Sequence, residues 1–175
     1  MKKGVFYIIL FLSSITHAQS VDFGLGLAPH GYGISANYNY YFRSEYAYLQ
    51  AGLNLATEST EYRDYTIPYN DLSLHVGYFY PMYENNRQTF QIAAGGGLLA
   101  GYEVVNNNES EYLPDRSFIK SKSNIIYGAF LSGEVNIFLS RNIFFLTKYN
   151  QYYHLNSDLG PLTMYLGVGI RYYYR

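Results

Sequence analysis

The C-terminal segment constrains the fold more than any other part of the chain. From Leu162 to Tyr174 the even positions are Leu162, Met164, Leu166, Val168, Ile170, Tyr172 and Tyr174. The odd positions are Thr163, Tyr165, Gly167, Gly169, Arg171 and Tyr173. A period of two is that of a β-strand, here with one face fit for hydrocarbon and one that is small or polar. Such a strand at a C-terminus, behind a secretory leader, predicts an outer-membrane β-barrel.

The leader is read from the other end. Lys2 and Lys3 form a positive n-region, Val5 to Ile15 a short apolar h-region, and Thr16-His17-Ala18 a small-residue cleavage site. Residues 1–18 are thus expected to be a signal peptide and 19–175 one barrel domain. The h-region is too short for a stable spanning helix, and no later apolar run is long enough. The chain has no cysteine, which excludes a lipidated cysteine, disulfide staples and thiolate metal sites.

Composition supports the same class. Aromatics make up 19% of the chain, 23 of them tyrosine, while charged residues are only 14%. Tyrosine suits an interface where the ring is buried and the hydroxyl stays wet. A mean hydropathy of −0.15 does not oppose a membrane location, because alternation conceals the apolar residues of a barrel. The net charge of −1 gives no footing for nucleic acid.

Seven further segments alternate: 21–28, 32–42, 47–55, 71–80, 90–103, 125–137 and 143–153. Together with the last they predict an all-β, eight-stranded, antiparallel up-and-down barrel. The polar faces are glycine-rich and nearly uncharged, as a narrow interior requires. Their few charges include Asp71, Glu103, Glu134, Lys148 and Arg171. Glu134, Lys148 and Arg171 fall on three consecutive strands and are expected to form one interior ion network.

Short connections (Arg43-Ser44-Glu45, Met82 to Gln88, Ser140-Arg141-Asn142) alternate with longer ones (Ser59 to Thr66, Asn106 to Ser123, Leu155 to Gly160). Only His30-Gly31 departs from this. The pattern puts both termini in the periplasm. Outward aromatics fall into two girdles. Tyr40, Phe42, Tyr78, Tyr80, Phe90, Tyr172 and Tyr174 lie near the short turns, and Tyr32, Tyr102, Tyr127 and Tyr153 near the long loops.

Little in the chain suggests catalysis. His30, His75 and His154 are not spaced as metal ligands, so no metal or cofactor is expected. His154 with Ser157 and Asp158 imitates the constellation of lipid-modifying barrel enzymes, but two of the three sit in a loop, where a base is poorly oriented. Gly95-Gly96-Gly97 lacks the ending of a phosphate loop and reads as room for crossing side chains. A barrel of eight strands is filled by its own side chains, so function is expected in loops, turns or wall.

Several stretches resemble a known family. Leu99-Ala100-Gly101-Tyr102-Glu103 with Asn106, Ile126-Tyr127-Gly128 with Glu134, and Leu166-Gly167-Val168-Gly169 are similar to the TraO family of conjugal transfer proteins of the Bacteroides conjugative-transposon type. Ile67-Pro68 and Phe138-Leu139-Ser140-Arg141-Asn142 also fit, so the resemblance runs from about Glu45 to the C-terminus. It implies an outer-membrane subunit of a mating-pair apparatus, with other transfer subunits as partners and no carried-over active site. The alternatives are a general small barrel for membrane integrity or adhesion, and a lipid-modifying enzyme. In each case the partners include outer-membrane lipid and the barrel insertion machinery. That machinery is expected to read the terminal strand through Leu166, Val168, Ile170, Tyr172 and Tyr174.

Overall fold

The computed structural model describes residues 19–42, 47–62, 65–105, 123–157 and 160–174. The expected leader, Arg43-Ser44-Glu45, residues 106–122, Asp158 and Arg175 lie outside these. Eight strands follow in chain order: β1 (Gln19–Ala28), β2 (Gly31–Tyr41), β3 (Tyr48–Tyr62), β4 (Tyr65–Glu84), β5 (Phe90–Val105), β6 (Asn124–Ser140), β7 (Ile143–His154) and β8 (Leu162–Tyr174). Each pairs antiparallel with the next, and β8 pairs with β1 to close the barrel.

Alternation becomes two environments. Along β8, Tyr165 and Arg171 point inward and are buried, while Leu166, Val168, Ile170 and Tyr172 point outward and are exposed. Over the whole wall the order of a water-soluble protein is inverted. Arg171 is 0% exposed and Leu98 is 72% exposed. An outside of this kind is stable only against hydrocarbon.

Register sets the level of each inward side chain. Following the paired residues once around the wall from Gln19 leads through Tyr40, Leu49, Tyr78, Gly96, Leu131 and Gln151 to Met164. Met164 lies two residues beyond the Leu27–Leu166 pair, opposite position 29. The stagger from position 19 to position 29 tilts the strands by about 40° to the axis. Residues far apart in β-strand order thus meet at one height.

Two features differ from the sequence reading. The Ser59–Thr66 connection is mostly strand, since β3 and β4 stay in register from Ser59–Pro68 up to Tyr62–Tyr65. Its polar composition signals a hairpin beyond the hydrocarbon layer, not a loop. Met82 to Glu84 belongs to β4 rather than to the turn. A bulge between Pro81 and Tyr83 makes room for the extra residue, and a second lies between Phe138 and Ser140.

Candidate functional site

The centre of the barrel holds a closed polar ring. Glu134 on β6 stands opposite Lys148 on β7. One of its carboxylate oxygens, Oε1, accepts from Lys148 Nζ at 2.9 Å and from Gln50 Nε2 at 3.0 Å. The other, Oε2, accepts from Arg171 Nη2 and from the Tyr48 hydroxyl, both at 2.6 Å. Lys148 Nζ also donates to Gln50 Oε1 at 2.5 Å. The three residues expected to form an ion network are therefore brought together, and all are buried.

The ring closes through residues whose part the sequence left unassigned. Gln50 Nε2 donates to Asn39 Oδ1 at 2.8 Å, and Asn39 Nδ2 donates to Asp22 Oδ2 at 2.8 Å. Asp22 accepts from Arg171 Nη2 at 2.8 Å and from Arg171 Nε at 3.2 Å, and Asn37 donates to its other oxygen. Asp22 and Arg171 are direct cross-strand partners at the β1–β8 closure. Two carboxylates and two cations leave the ring with no net formal charge, so no unbalanced charge is carried into low dielectric.

Aromatic rings brace the cations from β3 and β4. Arg171 lies 5.4 Å from the centroid of Tyr48, and Lys148 Nζ lies 5.5 Å from that of Phe79. Tyr48 and Phe79 stack at 5.1 Å. Phe79 fits because Gly95 is opposite it. A Cβ there would sit 2.5 Å from the Phe79 ring. Of the glycine triplet, Gly95 thus makes room for a crossing side chain.

The lumen is filled on both sides of the ring. Toward the chain termini, the Tyr41 and Tyr173 hydroxyls hydrogen-bond at 2.9 Å. Toward the other end, Leu99, Phe130, Tyr152 and Tyr165 are buried in one apolar cluster with Phe79. Beyond it, His154 Nε2 lies 2.9 Å from Thr163 Oγ1. Ser157 Oγ donates to Glu103 Oε2 at 2.6 Å. Asp158, the third member of that constellation, falls outside the described residues. His75 packs edge-on against Phe130. Among the described residues no group of histidine and carboxylate side chains is placed to hold a metal ion.

Polar side chains on the outer wall and its rim pair with near neighbours at two places. The Tyr149 hydroxyl donates to Gln151 Oε1 at 2.8 Å, and Gln151 Nε2 donates to the Thr163 carbonyl at 2.9 Å. Asn156 fills the place of a strand where β7 stops short of β6. Its Nδ2 donates to the Ile125 carbonyl at 2.5 Å, and its Oδ1 accepts from the Tyr127 amide at 3.2 Å. Tyr32, Tyr102, Tyr127 and Tyr153 are exposed at one end, as are Tyr78, Tyr80 and Tyr172 at the other. Of the terminal-strand residues, Tyr172 and Tyr174 stack at 6.5 Å beside the start of β1.

Solved structures share this architecture. A major outer membrane protein from Thermus thermophilus aligns with a TM-score of 0.64 at 13% identity, over 90% of this chain and 99% of that one. Ail, the attachment invasion locus protein of Yersinia pestis, aligns at 0.59 and 12% identity, over 90% and 98%. The N-terminal β-barrel domain of Pseudomonas aeruginosa OprF aligns at 0.57 and 8% identity, over 90% and 97%. At these identities the likeness concerns the fold: an eight-stranded barrel of the outer-membrane type. No curated protein matches the chain in sequence. The family described as conjugative transposon protein TraO matches residues 18–174, which extends the resemblance from Glu45 to the start of the barrel. The chain belongs to the TraO family of conjugative transposon proteins.

Proposed function

We propose that this protein is a structural subunit of a conjugative DNA-transfer apparatus, anchored in the outer membrane, where it holds or assembles other transfer subunits. The family match supplies the transfer context. The observation that carries the structural role is the filled lumen. A ring of Asp22, Asn39, Gln50, Glu134, Lys148 and Arg171 crosses it, with aromatic layers on both sides. A barrel with no passage for DNA acts through its surfaces. In this reading the termini and short turns face the periplasm, residues 1–18 are a cleaved leader, and the protein has no catalytic role.

The test is an in-frame deletion within the conjugative element, complemented in trans. Transfer frequency is expected to fall by orders of magnitude, with loss or mislocalisation of at least one other transfer subunit. Complementation is expected to restore both. Normal transfer with normal assembly of the remaining subunits would sink the proposal.

A further inference from the structure

We propose that Tyr165 is a latch that holds the barrel shut across the seam between its first and last strands. Seven of the eight strand pairings join neighbours in sequence. The β1–β8 pairing joins the two ends of the domain and so bears the largest loop-closure cost. Beyond the Asp22–Arg171 pair, the inward side of the seam has few side chains of its own. Gly24 pairs with Gly169 and Gly26 with Gly167, so neither level offers a side chain from either strand.

Tyr165 occupies the space left at the Gly26–Gly167 level, and its hydroxyl reaches Gly24. The side chain is buried, and its ring lies against glycines of β8, β1 and β2. A Cβ on Gly167 would meet only this side chain among its three nearest atoms, at 2.6–2.8 Å. A Cβ on Gly26 would come within 2.5 Å of the same ring, and one on Gly33 within 3.3 Å. The ring ends at Ser35 on β2, where the two hydroxyls hydrogen-bond at 3.4 Å. One side chain rooted in the last strand thus crosses the first strand and grips the second. Arg171–Asp22 closes the other half of the seam. Of the Leu166-Gly167-Val168-Gly169 motif, Gly167 is small because the Tyr165 ring lies against it, whereas a Cβ on Gly169 would strike the Phe23 carbonyl of β1 at 2.2 Å.

The chain lacks cysteine, so engineered pairs give a clean readout. Leu25 and Val168 stand opposite each other across the seam, and Leu53 and Leu74 do so within β3–β4. Purified full-length barrel in detergent is unfolded with urea. Tyr165→Ala is expected to lower the midpoint, and an oxidised Leu25→Cys/Val168→Cys pair to restore it. A Leu53→Cys/Leu74→Cys pair in β3–β4 is expected not to. If Tyr165→Ala fails to fold, the same contrast is read as recovery of folded protein. Independently, Gly167→Ala is expected to lower the midpoint when Tyr165 is present and to have little effect in a Tyr165→Leu background. An unchanged midpoint in Tyr165→Ala, equal recovery from the two disulfides or from neither, or an equal effect of Gly167→Ala in both backgrounds would overturn the latch.

Discussion

Glu134 is the residue on which the interior turns. Its carboxylate takes two ion pairs and two neutral hydrogen bonds from three other strands, all shielded from water. Truncating it leaves Lys148 buried without its counter-ion and leaves Arg171 with Asp22 alone. Breaking a buried pair from one side typically costs ~3–5 kcal/mol, because the remaining charge stays desolvated and uncompensated. Glu134→Ala is therefore expected to lower the free energy of unfolding by about that amount, measured by urea titration in detergent micelles. Glu134→Gln keeps the shape and some hydrogen bonds but not the charge, so its stability should lie between Glu134→Ala and the native protein. If Glu134→Ala matched the native protein, the ring would not be a stabilising unit.

Among the elements, β8 combines two tasks. Its inward register supplies Arg171 and Tyr165, and its outward register supplies an apolar ladder that ends in Tyr172 and Tyr174. We propose that insertion machinery reads this ladder, whose last two aromatics, Tyr172 and Tyr174, stack on each other. Tyr174→Ala is expected to reduce the yield of folded barrel in the outer membrane severalfold. Refolding of the purified variant in detergent should change little. Insertion in cells at the native level would show that this strand is not read through Tyr174.

This strand also shows how much is legible in advance and where reading stops. Period two assigns its faces, because Cβ atoms alternate strictly along a strand. The same rule puts Asp22, Asn39 and Gln50 inside. It cannot place them beside Arg171, because height in the barrel depends on the cumulative stagger of all eight pairings. That stagger is set by turn lengths and by the bulges near Met82 and Leu139, which alternation does not encode. The β3–β4 hairpin beyond Ser59 escapes the pattern for a related reason. A strand that leaves the hydrocarbon layer no longer needs an apolar face, so its pattern fades while its backbone pairing continues. Tyr165 reads as an ordinary inward aromatic until the glycines of three strands are seen beneath it.

At the scale of the whole molecule, the barrel is a wall around a solid interior. An eight-stranded cylinder of this tilt leaves room for side chains and no more. Here that room is used from the Tyr41–Tyr173 pair through the ion ring to the Phe130, Tyr152 and Tyr165 layer. An ion entering from either end must displace groups whose charges are already neutralised, and the apolar layer beyond offers it no replacement for hydration. Duplex or single-stranded DNA is larger still. The purified protein in a planar lipid bilayer is therefore expected to show no steady conductance above the bare membrane at moderate voltage, with successful insertion checked by protease protection of the barrel. Long-lived, reproducible current steps from the native chain would mean that the ring opens in the membrane. The surface-acting role argued for this protein would then have to give way to a channel.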